Sequence, residues 1–201
     1  MTYEQFRDFI ASFLWRDGDA VLIANLPALI RMAQASMQRD VKTRDTLAHV
    51  QLLYENANTE IGLPTDFRSV DVLVGPEGDF DYLRPGEFAR QRDAGKADQV
   101  YTIMGRSLYL ASGRQGDLTA SMVYYRTLPD LVLENGSWLL ELHLDLYVYA
   151  VLQHAGFFLK DDDRVPGWTA AYDKALGSVV NEDARLSTPA NGPLRMTFGG
   201  R

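Results

Sequence analysis

The hydrophobic period changes twice along this chain, and those changes restrict the fold more than any other feature. Tyr3, Phe6, Phe9, Ile10, Phe13 and Leu14 share one face of a 3.6-residue helix, with Thr2 and Gln5 at capping-box spacing ahead of them. A turn around Asp17-Gly18-Asp19 follows, and Asn25 is placed to cap a second helix with Pro27 in its first turn. Leu26, Leu29, Ile30, Ala33 and Met37 form its apolar stripe, while Arg31, Gln34, Gln38 and Arg39 face elsewhere. From about residue 41 the period falls towards two. Segments 46–54, 67–74, 80–83, 99–104, 107–111 and 118–127 are short, β-branched or aromatic, and separated by turn residues. A small antiparallel sheet or sandwich is expected, interrupted by a short helix near 86–93. The segment LTASMVYYRT is apolar on both faces, which predicts a central strand. Helical period returns at Ser137 and runs to about Leu159, with a break near Leu144. The run Asp161, Asp162, Asp163 then opens a last helix with Trp168, Ala171, Tyr172, Ala175, Leu176 and Val179 on one face. The expected class is α+β: a helical bundle from residues 1–40 and 137–186, two helices from each end, carrying an inserted antiparallel β domain at 41–136.

The chain stops in STPANGPLRMTFGGR, residues 187–201. Its prolines and glycines exclude a helix interior. Leu194, Met196 and Phe198 nevertheless alternate with Arg195 and Thr197 in the period of a half-buried strand, so this segment reads as an extended arm in need of a partner.

Composition narrows the function classes. At 201 residues the chain has room for one domain or for two small units. Twenty basic against 27 acidic side chains give a formal charge of −7, which argues against a general nucleic-acid binder. The absence of cysteine removes disulfides, thiolate metal sites and cysteine nucleophiles. The opening MTYEQFRD has acids where a secretory leader needs a basic and then an apolar region, so no leader is expected. The most apolar helical segment is interrupted by Asp145, Gln153 and His154, and no membrane span is expected.

Chemistry is hard to find. The three histidines, His49, His143 and His154, form no metal-binding spacing. The three consecutive aspartates lack the alternation and glycine of a calcium loop, and are expected at a helix N-terminus that favours negative charge. Gly75/Gly78 and Gly113/Gly116 lack the lysine and helix of a phosphate loop and read as hairpin turns. No GxSxG elbow is present. The stripe Tyr147, Tyr149, Phe157, Phe158, Trp168 and Tyr172 is expected in the core. No catalytic residue, metal ligand or cofactor site emerges.

Several stretches in order, TYEQFRDFIASFLWRDGD, ALIRMAQASMQRDVKTRD, LPTDFRSVDVL, DYLRPGEFARQR, YTIMGRSLYLA, LTASMVYYRTLPDL, SWLLELHLDLYVYAVLQHAGFFLKDDDRVPGWTAAYDKAL and GPLRM, resemble the head-to-tail adaptors of tailed bacteriophages. The likeness is to the tail-tubular-A-like adaptors of short-tailed phages. His143-Leu144 departs from the proline that this pattern places after the histidine. The resemblance implies a non-enzymatic virion protein, assembled in the host cytoplasm, that forms a dodecameric ring between the portal protein and a nozzle or tail-tube protein. It would continue the channel through which DNA leaves, without binding that DNA specifically and without a membrane. It also implies that the C-terminal segment docks on neighbouring ring or portal subunits through Pro193, Leu194, Arg195 and Met196, with Phe198 continuing the alternation. Two other readings stand beside it. One is a head-completion or stopper protein of a long-tailed phage. The other is a small hydrolase built on His143, His154 and the aspartate run.

Overall fold

The computed structural model describes residues 1–55, 60–111 and 116–187. They fall into two compact units, one made of Met1–Arg44 with the chain from Leu128 onward, the other of Asp45–Thr127. The mixed α+β class is thus observed. Residues 41–44 and 128–136 group with the helices.

The helical unit begins with α1 (Tyr3–Phe13), whose capping box is formed: Gln5 N–H donates to the Thr2 hydroxyl, and Thr2 N–H to the Gln5 side chain. Helix α2 (Ala20–Asp40) starts earlier than the sequence predicts, because Asp19 rather than Asn25 caps it. Both Val21 and Leu22 N–H groups donate to Asp19 Oδ1, at 3.0 and 3.1 Å. Asn25 instead sits one turn in and donates to the Val21 carbonyl. Pro27 therefore lies inside the helix, where it leaves the Ile23 carbonyl without its usual donor.

Four helices follow on the C-terminal side where two were expected: α4 (Leu131–Glu134), α5 (Trp138–Leu142), α6 (Leu144–Leu159) and α7 (Val165–Ser187). The expected break falls at His143, whose φ of −135° and ψ of 63° are not helical. Ser137 takes the N-cap position of α5 without a side-chain capping bond. Helix α6 ends in a Schellman motif: Lys160 adopts φ 57°, and Asp161 N–H returns to the Gly156 carbonyl. One core joins these helices, with Phe6, Ile10, Ile30, Ala33, Met37, Leu139, Tyr147, Leu152 and Tyr172 among its buried members. The Phe6 and Tyr147 rings meet edge to face at 5.5 Å. A side chain at Gly156 would strike Val165 and Trp168, so this glycine sets the close approach of α6 and α7.

Helix α2 is long and apolar enough to cross a membrane by length and composition, with a mean hydropathy of 1.3, a property the sequence reading assigned to no segment. Its apolar face, including Leu22, Leu26 and Leu29, is packed into this core.

The second unit holds two four-stranded sheets. One has the order β1 (Leu47–Tyr54), β8 (Leu118–Arg126), β3 (Phe67–Gly75), β4 (Gly78–Asp79); the other β2 (Glu60–Gly62), β7 (Ser107–Ala111), β6 (Val100–Met104), β5 (Asp81–Tyr82). Strand β8 is central, paired with β1 and β3, as its two apolar faces require. The pairing is antiparallel except between β5 and β6, which are parallel. This exception to the expected antiparallel domain follows from α3 (Pro85–Asp93), which crosses over between those two strands. Leu52, Leu73 and Met122 from one sheet share a core with Leu108 and Leu110 from the other, so the unit is a sandwich. The Gly75/Gly78 hairpin forms between β3 and β4, with Gly78 at φ 137°. Gly113 lies outside the described residues.

Candidate functional site

The docking residues read from the sequence, Pro193, Leu194, Arg195, Met196 and Phe198, all lie outside the described residues. The candidates of the hydrolase reading are described: His143 stands at the junction of α5 and α6, about three helical turns before His154, and the aspartate run follows the end of α6, so the two histidines do not come together. His49 on β1 meets Ser121 of β8 at 2.6 Å on an exposed face. His154 lies 3.4 Å from Ser36, and burial, with a smaller contribution from the Arg39 charge, holds its pKa below the usual value. Asp161 pairs with Arg164, and that hydrogen bond lowers the carboxyl pKa. The aspartate run occupies the turn between α6 and α7, so its first member serves an arginine rather than the helix dipole, and Arg164 also lies 5.2 Å from the centre of the Trp168 ring. No group of three or more metal-ligating side chains forms among the described residues.

What the sequence reading missed is a polar grip on α2. Arg31, Gln34 and Gln38, read as facing elsewhere, lie one turn apart and hold the segment that follows β8. The Leu128 N–H donates to Gln38 Oε1 at 2.5 Å, Gln34 Nε2 donates to the Pro129 carbonyl at 2.6 Å, and Arg31 Nε reaches Asp130 Oδ2 at 3.0 Å. Asp130 in turn caps α4. These residues, with Ala35 and Leu128, line a groove of about 320 Å³. Gln34 is buried. Beneath it the Tyr147 hydroxyl is also buried, close to Gln34 and Ser137 but without a hydrogen bond of good geometry, and burial raises its pKa. The recognisable signal would have been two glutamines at i and i+4 beside an apolar stripe, a spacing able to match successive backbone groups of an extended strand.

Exposed aromatic side chains mark another departure. Phe157 is 64% exposed and Phe158 39%, so two members of the predicted aromatic core stand at the surface. The last turn of α6 presents more apolar faces than the core covers. Trp15, at the end of α1, is 88% exposed and held at φ 57°, a conformation that a bulky side chain adopts only at a cost. The surface therefore carries large apolar groups and polar backbone grips, while His49, His154 and Asp161 each have a separate partner.

That combination suits contact between proteins, and the comparison with known families agrees. The chain matches the family described as SU10 adaptor protein over residues 1–197. It belongs to that family. As a phage adaptor it is a structural, non-enzymatic component of the virion's head-tail junction. No curated protein matches the chain. Family membership leaves the finer assignment, to the tail-tubular-A-like adaptors of short-tailed phages, as a proposal.

Proposed function

We propose that this adaptor forms a ring, dodecameric as in the tail-tubular-A-like proteins, that seats on the portal protein of the filled head and receives the nozzle or tail-tube protein below. The match to an adaptor family along 197 residues carries this reading. The sequence supports the role in two further ways. A formal charge of −7, repeated around a ring, gives a channel that does not hold passing DNA, since each lysine or arginine that neutralises a phosphate adds salt-dependent affinity. The C-terminal arm, with Pro193, Leu194, Arg195, Met196 and Phe198, docks on a neighbouring ring or portal subunit, each buried apolar side chain contributing about 1.5–3 kcal/mol before ordering costs are subtracted.

Electron microscopy of portal-bearing heads that lack the protein, before and after its addition, tests the proposal. A ring of new density at the portal vertex is expected. Density elsewhere on the capsid, or heads unchanged after addition, would contradict it.

A further inference from the structure

Helix α1 ends in a Schellman motif of its own. Trp15 N–H donates to the Ser12 carbonyl and Arg16 N–H to that of Ala11, both at 2.9 Å, and Trp15 takes the left-handed position of the motif at φ 57°. Glycine suits that position, because a Cβ there crowds its own backbone. The chain places a tryptophan there instead, and the side chain is 88% exposed. The folded subunit thus bears the backbone strain and gains almost no packing in return, an arrangement that marks a side chain held out for a contact beyond the subunit.

The surroundings of Trp15 say what that contact must offer. The α6–α7 turn lies at the same end of the helical unit: the Asp161 carboxyl, lowered in pKa first by its hydrogen bond from Arg164, is lowered further by the charge of Arg16. Phe157, in the last turn of α6, is exposed. Residues 15–19 and 160–164 together hold five acidic side chains and three basic ones, and two of the basic ones, Arg16 and Arg164, are spent on Asp19 and Asp161. Asp17, Asp162 and Asp163 are exposed. Aromatic faces among carboxylates take a guanidinium, which lies flat on a ring while its N–H groups reach the acids.

The same chain carries such a surface. Residues 84–96, around α3 in the β unit, hold four basic side chains against two acidic ones in a protein of net charge −7, and Arg84, Arg90, Arg92 and Lys96 are all exposed. A ring needs this kind of pairing. Rotation about a ring axis joins two different patches of each subunit head to tail, so one patch must complement the other.

We infer that the α1–α2 and α6–α7 turns of one copy, with Trp15 as the anchor, dock on the α3 arginines of a second copy of this chain. The inference rests on the proposed ring, and it names a contact between neighbours within that ring.

One glycine and two charge reversals separate the contact from the fold. Trp15→Gly supplies the residue that the backbone prefers, so the variant should melt no lower than the parent, yet ring density on portal-bearing heads and self-association of the concentrated protein should fall about tenfold or more. Asp162→Arg with Asp163→Arg should weaken both readouts, and so should Arg90→Asp with Arg92→Asp. Combining the two reversals in one chain should restore them, since every copy then meets inverted charge on both sides. A Trp15→Gly variant that melts lower would overturn the inference, because Trp15 would then belong to the packing of its own subunit. Reversals that weaken association without rescuing each other would overturn the second copy as the occupant. Rings unchanged by all of these substitutions would overturn the contact and leave the adaptor ring standing. Mutual rescue of self-association in solution, with neither parent nor variants attaching to heads, would support the contact and contradict the adaptor ring.

Discussion

The two units differ in how completely they close. The helical unit gathers both ends of the described chain around one core, from Phe6 to Val179, and even its polar face on α2 is spent on gripping residues 128–130. The β unit is one contiguous stretch with a smaller core, from Leu52 to Tyr124, in which β1 pairs with β8 alone among the described residues. The larger core is the one that keeps the subunit folded before it meets its partners.

The largest expected effect probes that contrast directly. Leu152→Ala, at a fully buried site on α6, should destabilise the protein by about 2–5 kcal/mol. Leu53→Ala, on the outer face of β1, should stay within about 0.5 kcal/mol. Chemical denaturation of the purified variants measures both. Comparable losses at the two sites would mean that β1 is as enclosed as the helical core.

A smaller loss is expected from the grip. Gln34→Leu removes the donor to the Pro129 carbonyl and should cost about 1–3 kcal/mol, because the carbonyl then lacks a partner in a partly buried place. Denaturation midpoints and amide exchange near residues 128–134 would report it. A neutral substitution would mean that the Gln34 bond to the Pro129 carbonyl contributes nothing to stability.

The smallest effect concerns pH. Burial lowers the folded-state pKa of His154, so between that value and the unfolded value near 6.5 the unfolded chain binds more protons. Stability is then highest above about pH 6.5 and is lost as the pH falls through the folded pKa. His154→Gln should flatten that part of the stability profile, whereas a profile unchanged by the substitution would remove His154 as a source of acid sensitivity.

Much of this contrast was legible in the residues. Thr2 and Gln5 announced α1, the stripe from Leu26 to Met37 reached the core as predicted, and the apolar faces of LTASMVYYRT placed β8 between two neighbours. Other features escaped because their signals are short or ambiguous. Strand β2 and helix α4 have three and four residues, too few to show a period. Asp19 and Asn25 are both good caps, and only the backbone geometry distinguishes the one that receives two N–H bonds. Gln34 and Gln38 were legible only as lying off the apolar stripe, since a polar side chain facing a backbone segment carries the same sequence signature as one facing water. Phe157 and Phe158 lie on the apolar stripe, yet the core ends before them. The docking segment itself lies beyond the described residues, so its strand pattern remains a reading of the sequence.

Deleting residues 188–201 tests the central claim, a self-sufficient body joined to its neighbours through an arm, more directly than any point substitution. The account predicts that the melting temperature of the free truncated protein changes by no more than a few degrees, while its attachment to portal-bearing heads is lost. A truncated protein that still seals heads and accepts tails, or one that no longer folds, would contradict it.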